Sequence, residues 1–311
     1  MNSSRNAIRS NRMGGAKLSR MILSAALFAT FLFVYVGAQA FAQEAPAQGG
    51  GPGRRNNQKV KPFKIVGNVY FIGMTDQTVL LIKTPEGHIL MDTAFERMMP
   101  WVRESLDELG VNLRDIKYIL NSHAHADHVE GDAAMKELTG AQIVFSEADG
   151  KTLADPPVRN GRPQWKPVKA DRLVKTGDTL TLGGTTLTAH VFPGHTRGAT
   201  TWTMVAEEDG RKYNVVFWGG VGGLRDPLVN NKDWPTIVED YRDSVRRAKA
   251  LPCEIFTDTH GESFGLTAKM NRLLAGEKPN PFYAPQECRE GFDRREQAFE
   301  EQLAKERAAA R

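Results

Sequence analysis

Asn121-Ser122-His123-Ala124-His125-Ala126-Asp127-His128 is the stretch on which the reading of this chain turns. It follows an apolar run, Ile116-Lys117-Tyr118-Ile119-Leu120, with the length and composition of a strand. Three histidines and an aspartate fall within six residues, in a chain of 311 residues that holds only seven histidines. A strand ending in a tight loop throws the alternating side chains His123 and His125 towards one point. Asp127 and His128 can then turn towards a second point close by. Imidazole nitrogens and a carboxylate at that spacing suit zinc, which takes N and O ligands in tetrahedral geometry. The bland alternative is a polar turn with solvent-exposed histidines, and the density of ligands speaks against it. Two zinc ions per chain are expected.

Working outward, the chain alternates in a legible way. Residues 63–66, 69–72 and 78–82 read as strands, and Pro85-Glu86-Gly87 turns into another at 88–92. Helical spacing at 99–109 puts Val102, Leu106 and Leu109 on one face, and Gly110 stops it. After the motif come a helix (132–138), a strand (142–145) and a long Pro-rich insertion through Lys169. A hairpin at 179–192 turns at Gly183-Gly184, and strands at 200–206 and 213–218 extend a second sheet. A helix (235–250), a strand (254–258), a helix (266–274) and a charged terminal helix (288–309) follow. Two sheets with helices on their outer sides predict an α/β fold, a four-layer αββα sandwich spanning 62–311 as one domain. No internal repeat is visible.

Few other ligands are on offer. His195 sits in Phe192-Pro193-Gly194-His195-Thr196-Arg197-Gly198, and His260 in Thr257-Asp258-Thr259-His260-Gly261. Both are strand ends running into loops, where such scaffolds present chemistry. His88 and His190 sit within strand patterns without clustered partners, and read as surface or structural. Asp92 ends a strand and is the natural carboxylate to hold a metal ligand in place by hydrogen bonding.

Composition excludes some functions. Of 41 basic residues, five (Arg5, Arg9, Arg12, Lys17 and Arg20) lie in residues 1–43, which hold no acid. The other 36 face 37 acids, so no basic stripe remains to suggest nucleic acid as a partner. The basic leader precedes an apolar stretch at 21–36, shorter than the ~20 residues of a spanning helix. Ala38-Gln39-Ala40 and Ala40-Phe41-Ala42 then offer small-x-small cleavage sites. Residues 1–42 therefore read as a signal peptide for export to a bacterial periplasm or beyond, with an uncleaved anchor as the alternative. After cleavage no stable membrane association is expected. Residues 43–61, rich in Gly, Pro, Gln and Arg, read as a flexible lead-in.

The motif His123-x-His125-x-Asp127-His128, followed by Gly194-His195-Thr196 and His260, resembles the metallo-β-lactamase superfamily. The likeness covers about residues 62–290. By resemblance His123, His125 and His195 would hold one zinc, and Asp127, His128 and His260 the other. Many relatives carry an aspartate bridging both metals, or a cysteine ligand, after the strand at 215–218. This chain reads Gly219-Gly220-Val221-Gly222-Gly223 there. Five histidines, one aspartate and no bridging carboxylate are most like class B, subclass 3 β-lactamases. Two departures stand out. Gly220 and Gly222 replace residues that often bear hydroxyl or amide groups for the substrate carboxylate, and Glu130 replaces a small residue.

What the resemblance implies is a hydrolase that opens a β-lactam ring. Water on zinc drops from a pKa of 15.7 to about 7, which makes hydroxide available at neutral pH for attack on the carbonyl. Asp127 would ligate the second zinc and orient the nucleophile, and no Ser, Cys or Lys nucleophile is needed. Arg225, on the same loop as the glycines, is the candidate for the substrate carboxylate. The alternative is a related di-zinc hydrolase of a lactone, ester or amide. The partner is then a small molecule, and the protein a monomer. The only cysteines, Cys253 and Cys288, read as a disulfide in an exported protein, and the resemblance supports a bridge in this region.

Overall fold

The computed structural model describes residues 57–220, 224 and 226–311. The leader at 1–42, most of the lead-in, Gly222 and Arg225 lie outside the described residues.

Strands β1 (Phe63–Val66), β2 (Val69–Phe71), β3 (Leu80–Thr84) and β4 (Gly87–Met91) form an antiparallel meander. Successive strand side chains point to opposite faces, and here both faces are apolar. Leu80 and Ile82 enter one buried cluster, and Val79 and Leu81 the other. Strands β5 (Ile116–Leu120) and β6 (Gln142–Ser146) join in parallel. After a short separate hairpin, β7 (Val158–Arg159) and β8 (Arg162–Pro163), β9 (Arg172–Val174) completes a seven-stranded sheet beside β6.

The second sheet runs β10 (Thr179–Leu182), β11 (Thr185–Val191), β12 (Thr200–Glu208), β13 (Arg211–Trp218) and β14 (Ile255–Asp258). Only β13 and β14 are parallel. Helix α1 (Met99–Glu108), the short α2 (Ala126–Val129), α3 (Asp132–Thr139) and α4 (Glu147–Ala154) go with the first sheet. Val102, Leu106, Met135 and Leu153 cover its outer face. Helices α5 (Ile237–Lys249), α6 (Leu266–Leu274) and α7 (Pro285–Ala309) follow β13 and β14. The other cluster fills the space between the sheets and continues under α5 and α7, from Ile82 and Trp202 to Tyr241 and Phe299. This is the αββα sandwich.

Three details differ from the sequence expectation. The insertion before Lys169 contains a full helix, α4, as well as the small hairpin. The edge strand β9 was not anticipated. And β3 begins at Leu80, because Thr78 N–H leaves the meander to donate to Thr259 C=O on the other sheet at 3.0 Å. Helix α7, charged as expected, also buries Phe292, Phe299 and Leu303, with Phe299 stacked on Tyr241. Cys253 and Cys288 form a disulfide that ties the approach to β14 to the first turn of α7. Among the described residues no helix is long and apolar enough to cross a membrane.

Candidate metal centre

Backbone hydrogen bonds sew the two sheets together along one edge, and the motif sits in that seam. Thr200 N–H, at the start of β12, donates to Ser122 C=O at 2.7 Å, and Trp202 Nε1 to Asn121 C=O at 3.3 Å. On the far side Gly261 N–H donates to Asp76 C=O at 2.8 Å. The ends of β5, β11 and β14 therefore converge, and with them the histidines each end carries.

Two clusters result. The ligand atoms of His123, His125 and His195 lie within 4.8 Å of one another, and so do those of Asp127, His128 and His260. Asp127 and His128 reach theirs because His128 N–H bonds back to His125 C=O, which starts α2. In the first cluster the rings meet edge-on, with centroids 4.5 to 4.7 Å apart. Burial, and then the neighbouring imidazoles, hold His123 well below the usual histidine pKa. Its buried Nε2 has no hydrogen-bond partner among the described residues. A neutral, desolvated ring nitrogen with an unused lone pair is what a divalent ion requires, so these residues fit zinc.

Buried carboxylates hold the clusters in place. Asp92 takes Ser122 N–H at 2.7 Å and Ser122 Oγ–H at 2.6 Å, and its Oδ2 lies 3.3 Å from His128 Nδ1. It does this from a left-handed backbone, φ 57°, a conformation that costs a non-glycine residue about 1–2 kcal/mol. Asp149, from α4, was not anticipated from the sequence. It accepts from Ala124 N–H at 2.8 Å, Gly198 N–H at 2.8 Å and Thr196 Oγ–H at 2.6 Å, joining the loops of His125 and His195. Asp76, also unanticipated, lies 3.3 Å from His260 Nδ1. Asp127 sits 3.4 Å from His128 Nε2 and 3.6 Å from His260 Nε2. Burial works against its ionisation, but those two imidazoles hold its carboxyl well below the usual range. Burial likewise opposes a charged His128, yet Asp127 and Asp92 outweigh it and raise its pKa, the same attraction they would offer a bound cation.

Gly219 is glycine for a steric reason. A Cβ there would stand 2.0 Å from Thr200 O and 2.8 Å from Ser122 Cβ, inside the seam itself. Gly220 lines a cleft of about 590 Å³ that opens onto the centre between His195, His260, Arg294 and Gln302. Arg294 is mostly exposed, with Glu290 3.6 Å away. Glu130, the other departure, takes Glu96 N–H at 3.3 Å and stays out of both clusters.

The profile of the metallo-β-lactamase superfamily matches residues 72–209. Among solved structures, BJP-1, a subclass B3 metallo-β-lactamase of Bradyrhizobium japonicum, is 37% identical, with a TM-score of 0.77 over 82% of this chain and 97% of that one. The chain belongs to the metallo-β-lactamase superfamily. FEZ-1 from Legionella gormanii is 33% identical, with a TM-score of 0.78 over 81% of this chain and 99% of that one. Sequence relatives point elsewhere in the same superfamily. A hydroxyacylglutathione hydrolase of Hyphomonas neptunium is 32% identical over 44% of each chain. The mitochondrial persulfide dioxygenase ETHE1 of Homo sapiens is 29% identical over 37% of this chain and 38% of its own. This metallo-β-lactamase-fold chain thus spans less than half the length of those two relatives. The superfamily uses zinc, and the described residues hold two histidine-rich candidate metal sites.

Proposed function

We propose that this protein is an exported di-zinc β-lactamase. The observation that carries the reading is the make-up of the paired clusters: five histidines and one aspartate, with glycine where a bridging acid would follow β13. His123, His125 and His195 would hold one ion, and Asp127, His128 and His260 the second. When bound, the ions acidify a water and polarise the lactam carbonyl. The chain's own residues do the rest. Asp127, kept ionised by its neighbours, presents a carboxylate oxygen that would accept a hydrogen bond from the attacking water and fix its direction. Asp92 and Asp149 hold the ligand loops so that little has to move on binding. The cleft has the volume of a small-molecule site. Arg294 on its wall, or Arg225 on the loop beyond Gly220 and Gly222, supplies a guanidinium for the substrate carboxylate through paired hydrogen bonds.

The rest of the reading places a signal peptide at 1–42, a lead-in at 43–61 and the catalytic domain at 62–311. The protein then works in the periplasm or outside the cell as a monomer on a small molecule, with no nucleic acid or membrane partner. A second reading, hydrolysis of a lactone, ester or amide, is favoured by the hydroxyacylglutathione hydrolases among the relatives and by the bare Gly220.

The test is turnover by the purified protein of penicillins, cephalosporins, carbapenems, lactones and a hydroxyacylglutathione. β-Lactam hydrolysis lost on chelation and untouched by serine-directed inhibitors supports the first reading. Turnover of lactones or the thioester alone keeps the family and sinks this substrate.

A further inference from the structure

Helix α7 touches the end of β14, two residues before His260, through Arg295. Arg295 donates from Nη2 to Asp258 Oδ2. The other oxygen of the same carboxylate accepts from His260 N–H at 3.1 Å and Thr259 Oγ–H at 3.3 Å. Asp258 is the last residue of β14 and is buried, and the Arg295 side chain is mostly covered. The guanidinium is itself held on several sides. Nη1 donates to Gly291 C=O at 3.0 Å, and the Arg295 carbonyl accepts from Tyr241 Oη–H at 3.2 Å. The side chain also packs over Trp218 and Phe256, 5.8 and 5.7 Å from the ring centroids.

We propose that Arg295 is a positioning residue for His260: by fixing Asp258 it sets the backbone from which that imidazole reaches the second cluster. The proposal rests on the reading of the six residues as metal ligands, not on the identity of the substrate. The backbone of His260 is held on one side by its bridge to Gln77, through Thr259 C=O and Gly261 N–H, and on the other by Asp258, whereas its partners are held within a helix. Asp127 and His128 share one turn of α2, pinned by Thr93 N–H on His128 C=O at 2.9 Å. His260 stands in a connection between β14 and a single turn at Gly261–Phe264. Its ring contacts, Asp76 and Asp127, are both at 3.3 Å or longer. The amide bond to Asp258 supplies the direction. A carboxylate that lost Arg295 would be a buried anion without its cation, free to turn from the amide towards another positive group.

The experiment uses the full mature chain, stripped of metal and titrated with cobalt(II). Visible absorption and competition with a chelating dye resolve the two equivalents, and thermal unfolding of each metal-free variant is followed in parallel. Arg295→Met should weaken one equivalent by about 10-fold or more, the usual effect of removing a group that supports a ligand, and leave the other within about 2-fold. Arg295→Lys, which keeps the charge, should recover most of the loss, and Arg295→Gln, which removes the charge but keeps a polar side chain, carries the test if the methionine variant does not fold. Tyr241→Phe, which frees the Arg295 carbonyl but not its guanidinium, should leave both equivalents unchanged. Equal weakening of both equivalents in step with a lower unfolding temperature, or no change in either, overturns the proposal. A parent chain that binds two cobalt ions with this asymmetry yet opens no β-lactam leaves the proposal standing and removes only the substrate.

Discussion

The two halves of the centre are held by different means. His123, His125 and His195 sit on loops that Asp149 gathers through two backbone amides and a hydroxyl. None of those three bonds touches an imidazole. In the other half, charge meets the rings directly: Asp92 on His128, Asp76 on His260, and Asp127 between them. One half is framed by backbone, the other tuned by carboxylates. Loss of a frame should collapse a site, whereas loss of a tuning group should weaken it by degrees.

Asp149→Ala tests the first half of that contrast and should have the largest effect. Two buried amides and a half-buried hydroxyl lose their acceptor, at about 1–3 kcal/mol for each buried donor left unsatisfied. Urea unfolding should show a loss of at least about 3 kcal/mol, and hydrolysis should fall about 10³-fold or more as the His125 and His195 loops part. An alanine variant that keeps parental activity would show that the loops do not depend on this carboxylate. Asp92→Asn addresses the second half. Zinc competition should show the equivalent at His128 weakened about 10–100-fold and the other, whose His123 Asp92 reaches only through Ser122, weakened less; equal loss in both would erase the distinction.

Arg294→Ala reaches the cleft wall without touching either cluster. For an anionic substrate KM should rise several-fold with kcat little changed, as for a contact made equally in ground and transition states. Identical kinetics would leave Arg225 as the remaining candidate, to be tested in the same way.

The last prediction concerns stability rather than the metals, and rests on Asp132, a buried carboxyl bonded by Thr93 and Asn121. Burial pushes its carboxyl up to about 8, against hydrogen bonds from Thr93 and Asn121. An unfolded aspartate ionises near 3.8, so between these values the folded chain keeps a proton that the unfolded chain has lost. Stability from this group is full below about pH 4 and drains away as pH rises to about 8. Asp132→Asn should flatten that slope in metal-free protein, measured by urea unfolding at several pH values. An unchanged slope would assign it to other groups.

The sequence carried the ligands because they come from local patterns: three histidines and an aspartate after one strand, and a histidine after each of two others. Asp92 was legible for the same reason, as the last polar residue of a strand. Asp149, Asp76 and Arg295 were not, since each acts on partners far away in the chain that only the packed sheets bring near. Asp149 had a signal that went unread. Ser146-Glu147 at the end of β6, with Asp149 two residues on, is a helix start, hidden by the prolines that follow. Thr78 looks like strand in the sequence, and its N–H belongs instead to the seam. Gly219 read as a missing ligand, whereas its smallness lets two sheets touch.

His260 lies between the two cysteines of the disulfide, so the second cluster takes one of its members from inside a covalent ring. The connection from α6 to α7 passes through that ring, and it begins beside Leu274, an apolar side chain 67% exposed. A protease that cut the chain there would not release either piece. β14 and α7 would stay joined through Cys253 and Cys288, with Asp258 and Arg295 still opposed. The bridge would then serve as a tether that lets a nicked molecule go on working.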